Sequence, residues 1–206
     1  INAGSSPFDL KRTSTNIISP TLGEGAKNAM IIAGLIAFIV IAAYIIVIYK
    51  LPGFVASIAL IGQVIGSIAC ITGFFGNIDS FTLTIPGIAG IILGIGMAVD
   101  ANVIIFARVK EELSAGASVH SALRAGFHKA MSAILDGNIT TLIAAAVLWL
   151  RGSGPVKGFA QTLALGIVVS MFTALVVTRL LVYSFYAIGI RNPKVYGRVK
   201  EERKPI

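Results

Sequence analysis

Five long apolar stretches, at about residues 27–49, 54–75, 82–107, 132–150 and 159–187, decide what this chain can become. A hydrocarbon core about 30 Å thick is crossed by about 20 helical residues. No water reaches a bare N–H or C=O there, so a crossing segment must satisfy its own backbone. At these lengths the stretches are read as helices. Composition agrees, with 56% hydrophobic and 13% charged residues, against about 25% charged in a soluble domain. The predicted fold is an all-α membrane protein with five transmembrane helices.

The first stretch carries no charge from Asn28 to Tyr49 and ends at "KLPG", residues 50–53. Lys50 can anchor at headgroups and Pro-Gly favours a tight turn, so the first two helices are expected to form a hairpin. Pro86 falls in the first turn of the third helix, where a missing N–H costs least. Residues 108–131 form the one long connection. "RVKEEL" leads the third helix out of the membrane, Gly116 breaks it, and Ser118 is a candidate N-cap. Val119, Ala122, Leu123, Phe127 and Ala130 then recur at helical spacing, with His120, Arg124 and His128 on another ridge. That pattern predicts an amphipathic helix at about 117–131 lying in the cytosolic membrane interface. A cation between the two histidines argues for a solvated basic face and against a metal site. Cys70, the single cysteine, is expected to be a small packing residue.

The formal net charge is +8. The basic residues sit between and beyond the apolar runs and are not interleaved with aromatics, so the expected partner is the lipid bilayer and not nucleic acid. Lys50, Arg108, Lys110, Arg124, Lys129 and six basic residues from Arg191 onward share one side, against Lys11, Arg12, Lys27, Arg151 and Lys157 on the other. The positive-inside rule places the larger set in the cytosol. The chain is then a multi-pass plasma-membrane protein with a cytosolic C-terminus. Residues 1–25 are expected to be the end of an extracytoplasmic domain and its entry linker, 26–190 the helical bundle, and 191–206 a basic cytosolic tail. Ile1 in place of Met, with no signal peptide, points to a fragment or a processed product.

Gly87, Gly90, Gly94, Ala98 and Ala101 fall in a stripe about 80° wide on the third helix. Thr162, Gly166, Ser170, Ala174 and Thr178 recur every four residues on the fifth. Small residues let helix backbones approach in lipid, so these seams predict a compact bundle centred on the third to fifth helices. Asp100 stands out against this background. A charged side chain at a helix centre costs about 2.5–3.5 kcal/mol, and its neighbours one turn away, Gly96, Met97, Val103 and Ile104, offer no counter-charge. It lies beside the seam with Asn102 at the other edge, so both can face protein rather than lipid. Two readings stay open, a proton or cation site and a permanently neutral structural hydrogen bond. Asp136 near the cytosolic start of the fourth stretch either complements a helix dipole or joins Asn138, Thr140 and Thr141 in a polar cluster near Asp100. Arg179 either snorkels or pairs with an acid across the bundle.

No Ser/His/Asp set, HExxH or CxxC occurs. "GIILGIG" lies mid-membrane and follows no strand, so it is no phosphate loop. Neither an enzyme active site nor a metal or cofactor site is expected. The stretches "GIGMAVDANVIIF", "RVKEEL", "ILDGNITTLIAA" and "GPVKGFAQTLALGIVVSMFTALVVTRLL" occur in that order, preceded by "ISPTLGEGA". Over residues 18–190 the chain thereby resembles the membrane region of the SecD/SecF family of the resistance–nodulation–division superfamily, on its SecD side.

The resemblance implies six helices per subunit with a large external domain after the first, so the five here would be the second to sixth. It implies a non-enzymatic accessory subunit of the Sec translocase. Such a subunit uses the proton motive force to promote late stages of protein export, with SecF, the SecY-type channel and the translocating unfolded polypeptide as partners. Asp100 matches the intramembrane aspartate tied to proton flow, with Asn102 beside it, and Asp136 and Asn138 match a polar motif at the subunit core. Ala107 stands where the family usually has Glu, and Gly137 where Ala is more usual. Two other functions fit the residues less closely, a small-molecule/proton antiporter of the same superfamily and a non-transporting membrane scaffold.

Overall fold

The computed structural model describes residues 20–73 and 84–197. Among these, five helices are long and apolar enough to span a membrane, and no strand occurs. They are α1 (Pro20–Tyr49), α2 (Leu51–Ile71), α3 (Ile85–Ser114), α4 (Val119–Arg151) and α5 (Pro155–Ala187). Most of the segment expected to be extracytoplasmic, residues 1–19, lies outside the described residues, as do 198–206 of the expected tail. Residues 20–25, taken as linker from the sequence, are the opening turns of α1.

The α1–α2 hairpin is tighter than "KLPG" suggests. Lys50 alone links the helices, at a φ of 55°, and Pro52 already lies in the first turn of α2. Gly53 is required by contact: a Cβ there would fall 2.6 Å from the Ile45 carbonyl carbon and 2.9 Å from Ile46 Cα. Residues after α5 return to this turn. The Leu51 amide donates to the Val195 carbonyl at 3.3 Å. Tyr196 is buried, and its hydroxyl donates to the Ile190 carbonyl at 2.8 Å. Burial, with Tyr186 adding to it, pushes that phenol above its ordinary range, so it stays a donor. The first residues of the expected tail are thus folded onto the bundle.

The most intimate contact is between α3 and α5. Gly94 faces Gly166 so closely that a Cβ on Gly94 would stand 3.2 Å from Gly166 Cα. One turn away, a Cβ on Gly90 would meet the Phe159 carbonyl oxygen at 3.0 Å and the Leu163 nitrogen at 3.3 Å. Ala98, Ser170 and Ala174 continue the seam and are buried. Thr84 locks its end: the hydroxyl caps α3 by accepting from the Gly87 amide at 3.1 Å, and a Cβ on Gly158 would lie 2.8 Å from it. Midway along α5, Thr173–Val177 forms a wider π turn.

The separate interfacial helix expected at about 117–131 is instead the first part of α4, which runs unbroken for 33 residues. Ser118 caps it, accepting from the Ser121 amide at 3.3 Å. No proline or C-cap signal interrupts the chain between Met131 and Ser132, so the helix continues into the fourth apolar stretch. The apolar face also lies against protein and not lipid. Val119, Ala122, Leu123, Phe127 and Ala130 are buried in one core with Phe106, Val109 and Leu113 of α3 and Val182 of α5. Gly126 permits the approach, because a Cβ there would fall 2.9 Å from the Val109 nitrogen. Lys129 and Glu112 pair across the same contact.

Candidate functional site

Helices α3 and α4 run antiparallel, so depth is measured from one end for both. At 1.5 Å per residue, Asp100 lies about 22 Å along α3 from Ile85, and Asn138 about 20 Å along α4 from Arg151. The two share an open groove of about 380 Å³ between the helices, walled by Met97 and Ile104 of α3 and by Gly137 and Thr141 of α4. Asp100 is exposed on this side of the bundle. Within the span of an apolar helix it has no ion pair: among the described residues the only pairs are Arg108–Glu111 and Lys129–Glu112.

Asn102 goes elsewhere. It is fully buried, and neither atom of its amide has a hydrogen-bond partner. Helical angle explains the divergence. Asn102 lies about 40° past one edge of the small-residue stripe and is covered, whereas Asp100 lies about 80° past the other and emerges. Within this chain, therefore, only Asn102 is covered by protein, and Asp100 is left open to whatever packs on the groove.

The polar cluster on α4 also divides. Asn138 is buried, its amide nitrogen donating to the Ile134 carbonyl at 2.7 Å and its oxygen unpartnered. Thr141 borders the groove, its hydroxyl donating to the Gly137 carbonyl at 3.0 Å. Asp136 is exposed and does not line the groove, being about 100° around the helix from Gly137. Because α4 begins at Val119, Asp136 is far from any first turn, which removes the dipole reading. Arg179 pairs with no acid among the described residues. Its guanidinium lies over the rings of Phe127 and Tyr183, 6.0 and 5.9 Å from their centroids.

Gln63 is the residue that sequence reasoning passed over. It is buried on α2, and its amide nitrogen donates to the Gly94 carbonyl at 3.3 Å, tying a third helix to the seam. A lone amide within the apolar "IGQVIG" was the available signal. Thr178 follows the π turn, fully buried, with its hydroxyl unpartnered. No set of three His, Cys, Asp or Glu side chains positioned for a metal occurs among the described residues.

The orphaned amide of Asn102 has a measurable consequence. An unsatisfied buried polar group costs about 1–3 kcal/mol, so Asn102→Leu, of similar volume, is expected to raise the melting temperature of the full-length protein. A clear fall would mean that the amide is hydrogen-bonded in the assembled protein.

A family profile described as "Protein export membrane protein SecD/SecF, C-terminal" matches residues 2–187. The chain belongs to the SecD/SecF family. The protein translocase subunit SecD of Acidaminococcus fermentans is 43% identical over 96% of this chain and 46% of its own length. The SecD of Calditerrivibrio nitroreducens is 47% identical over 90% of this chain and 35% of its own. The crystal structure of SecDF, a translocon-associated membrane protein from Thermus thermophilus, superposes with a TM-score of 0.78 at 41% identity, covering 84% of this chain and 23% of that one. SecDF in a super-membrane-facing form gives a TM-score of 0.71 at 42% identity. The chain thus spans a third to a half of the SecD relatives it matches, and its helices are those of the SecDF membrane region.

Proposed function

We propose that this bundle is the membrane portion of an accessory subunit of the Sec translocase. In this reading it uses the proton motive force to promote late stages of protein export, acting with SecF and a SecY-type channel on an unfolded polypeptide. It sits in the cytoplasmic membrane with its basic end in the cytosol. The observation that carries the reading is Asp100, an exposed acid at membrane depth on an open groove, with no counter-charge among the described residues. An acid so placed is too costly to face lipid. The groove is therefore the surface that SecF covers, and SecF supplies whatever partner Asp100 has.

Proton uptake from one side and release to the other would then change one charge at this contact. One elementary charge moved through 100 mV is worth about 2.3 kcal/mol, enough to bias an element whose two packings differ by a few kcal/mol. The Gly94–Gly166 seam beside it holds backbone against backbone with few side chains to reseat. That is the kind of contact able to shift as a unit. The coupling ion is the proton, and no cofactor takes part.

The test uses membrane vesicles containing the channel, with or without the full-length protein and SecF. Release of a translocating chain on the far side is followed before and after the gradient is collapsed by a protonophore. The gradient is expected to accelerate release only when both subunits are present. An equal acceleration in their absence would sink the proposal.

A further inference from the structure

A second feature lies at the basic end of the bundle, away from Asp100. Two adjoining cavities, of about 430 and 540 Å³, share Arg124 and Arg179. His128 and Ser121 border the first and His120 the second. No carboxylate lines either, and among the described residues neither arginine is in an ion pair.

The depth of this cluster follows from the short α4–α5 turn, which fixes a common origin. About 20 residues cross the hydrocarbon. Counted back from Arg151 they end near Met131 on α4, and counted forward from Lys157 they end near Val176 on α5. His128 and Arg179 therefore lie about 5 Å beyond the hydrocarbon edge, at headgroup level, and Arg124 about one helical turn further out. Deeper in the membrane α5 is apolar, with Phe172 and Val176 exposed and Val176 bordering the second cavity. The Phe127 and Tyr183 rings hold the Arg179 charge in place. That contact leaves the in-plane N–H donors of the guanidinium for an oxygen ligand.

We propose that Arg124 and Arg179 form a binding site for the headgroup of an anionic glycerophospholipid, its acyl chains lying along the Phe172–Val176 surface of α5. Arginine forks match phosphate oxygens two at a time, and Ser121 is placed to meet a headgroup hydroxyl. A zwitterionic lipid is disfavoured because no acid lines the cavities to receive its ammonium group. The purpose such a site serves is local: a lipid bridging α4 and α5 would fix the arm of α4 that projects beyond the membrane.

The experiment titrates dioleoylphosphatidylglycerol or dioleoylphosphatidylcholine into the detergent-solubilised full-length protein and counts bound lipid by native mass spectrometry. Both arginines are exposed, so R124Q/R179Q opens no cavity in the core and gives up only the stacking of Arg179 on Phe127 and Tyr183. At the usual worth of a basic group near an anionic surface, this double variant is expected to bind phosphatidylglycerol about thirtyfold more weakly. K110Q/K194Q removes the same charge from the same end but outside both cavities, and is expected to bind as the wild type does. Equal losses in the two variants would mean diffuse attraction and overturn the site, as would an unchanged R124Q/R179Q or equal binding of the two lipids. Displacement of the lipid by excess inorganic phosphate would make this a site for free phosphate and overturn the lipid assignment.

Discussion

Asparagine at position 100 is expected to abolish the acceleration that a proton gradient gives to export, with the full-length protein still folded and inserted. The carboxylate is exposed and in no ion pair among the described residues. The substitution therefore removes no packing, and its effect on stability is expected to stay within about 0.5 kcal/mol. What it removes is the ability to gain and lose a proton. At about 2.3 kcal/mol for one charge across 100 mV, the lost bias corresponds to about fortyfold in the equilibrium between two packings. Glu111→Gln provides the comparison, because that acid pairs with Arg108 beyond the apolar span of α3 and is expected to leave the gradient response unchanged. The measurement is the rate of release of a translocating chain from vesicles, with and without a protonophore, for both variants. A wild-type gradient response in Asp100→Asn would remove the proton role and leave the acid as structural glue, which is what the scaffold alternative requires.

The residues that made this site legible did so through cost. An acid and two amides in apolar helices are conspicuous wherever they sit, so Asp100, Asn102 and Asn138 stand out without a structure. Their grouping was not legible, because it depends on which side of each helix the neighbours cover. Asp100 and Asn102 are two residues apart, about 200° around a helix, and no local pattern says which side of the stripe will be the closed one. The fold was legible where periodicity and length agree, as in the hairpin and in the α3–α5 seam. It was misread at residues 117–131, where a charged ridge resembles a surface helix whether the apolar face meets lipid or another helix. The π turn left a subtler trace. A strict four-residue repeat overshoots by about 40° per step on an α-helix, or about 160° from Thr162 to Thr178. Yet Thr162, Ser170, Ala174 and Thr178 are all buried. The wider turn at Thr173–Val177 takes back part of that rotation, so the repeat itself carried the signal for an irregularity that no glycine or proline marks.

Gly126→Ala is expected to destabilise the full-length protein by up to about 2 kcal/mol, and here the sign matters more than the size. In a helix lying on lipid, replacing glycine by alanine stabilises by about 1 kcal/mol through backbone entropy alone. Gly126 instead faces the backbone of α3: an added Cβ would sit 2.9 Å from the Val109 nitrogen and 3.0 Å from its Cα. Backbone cannot rotate away as a side chain can, so the helices must separate around Leu123, Phe127 and Leu113, which are all buried in this contact. Overpacking of this kind costs about 1–3 kcal/mol, and the upper end exceeds the helical gain. Gly96→Ala on α3 is the internal standard, since nothing lies within 4 Å of a Cβ there, and it is expected to raise stability. Thermal unfolding of the two variants in the same detergent therefore separates the two pictures of residues 119–131. Opposite shifts fit an arm packed on α3. A stabilising shift at both positions would return the segment to the membrane surface, and the headgroup-level cavity between α4 and α5 would lose its rigid wall.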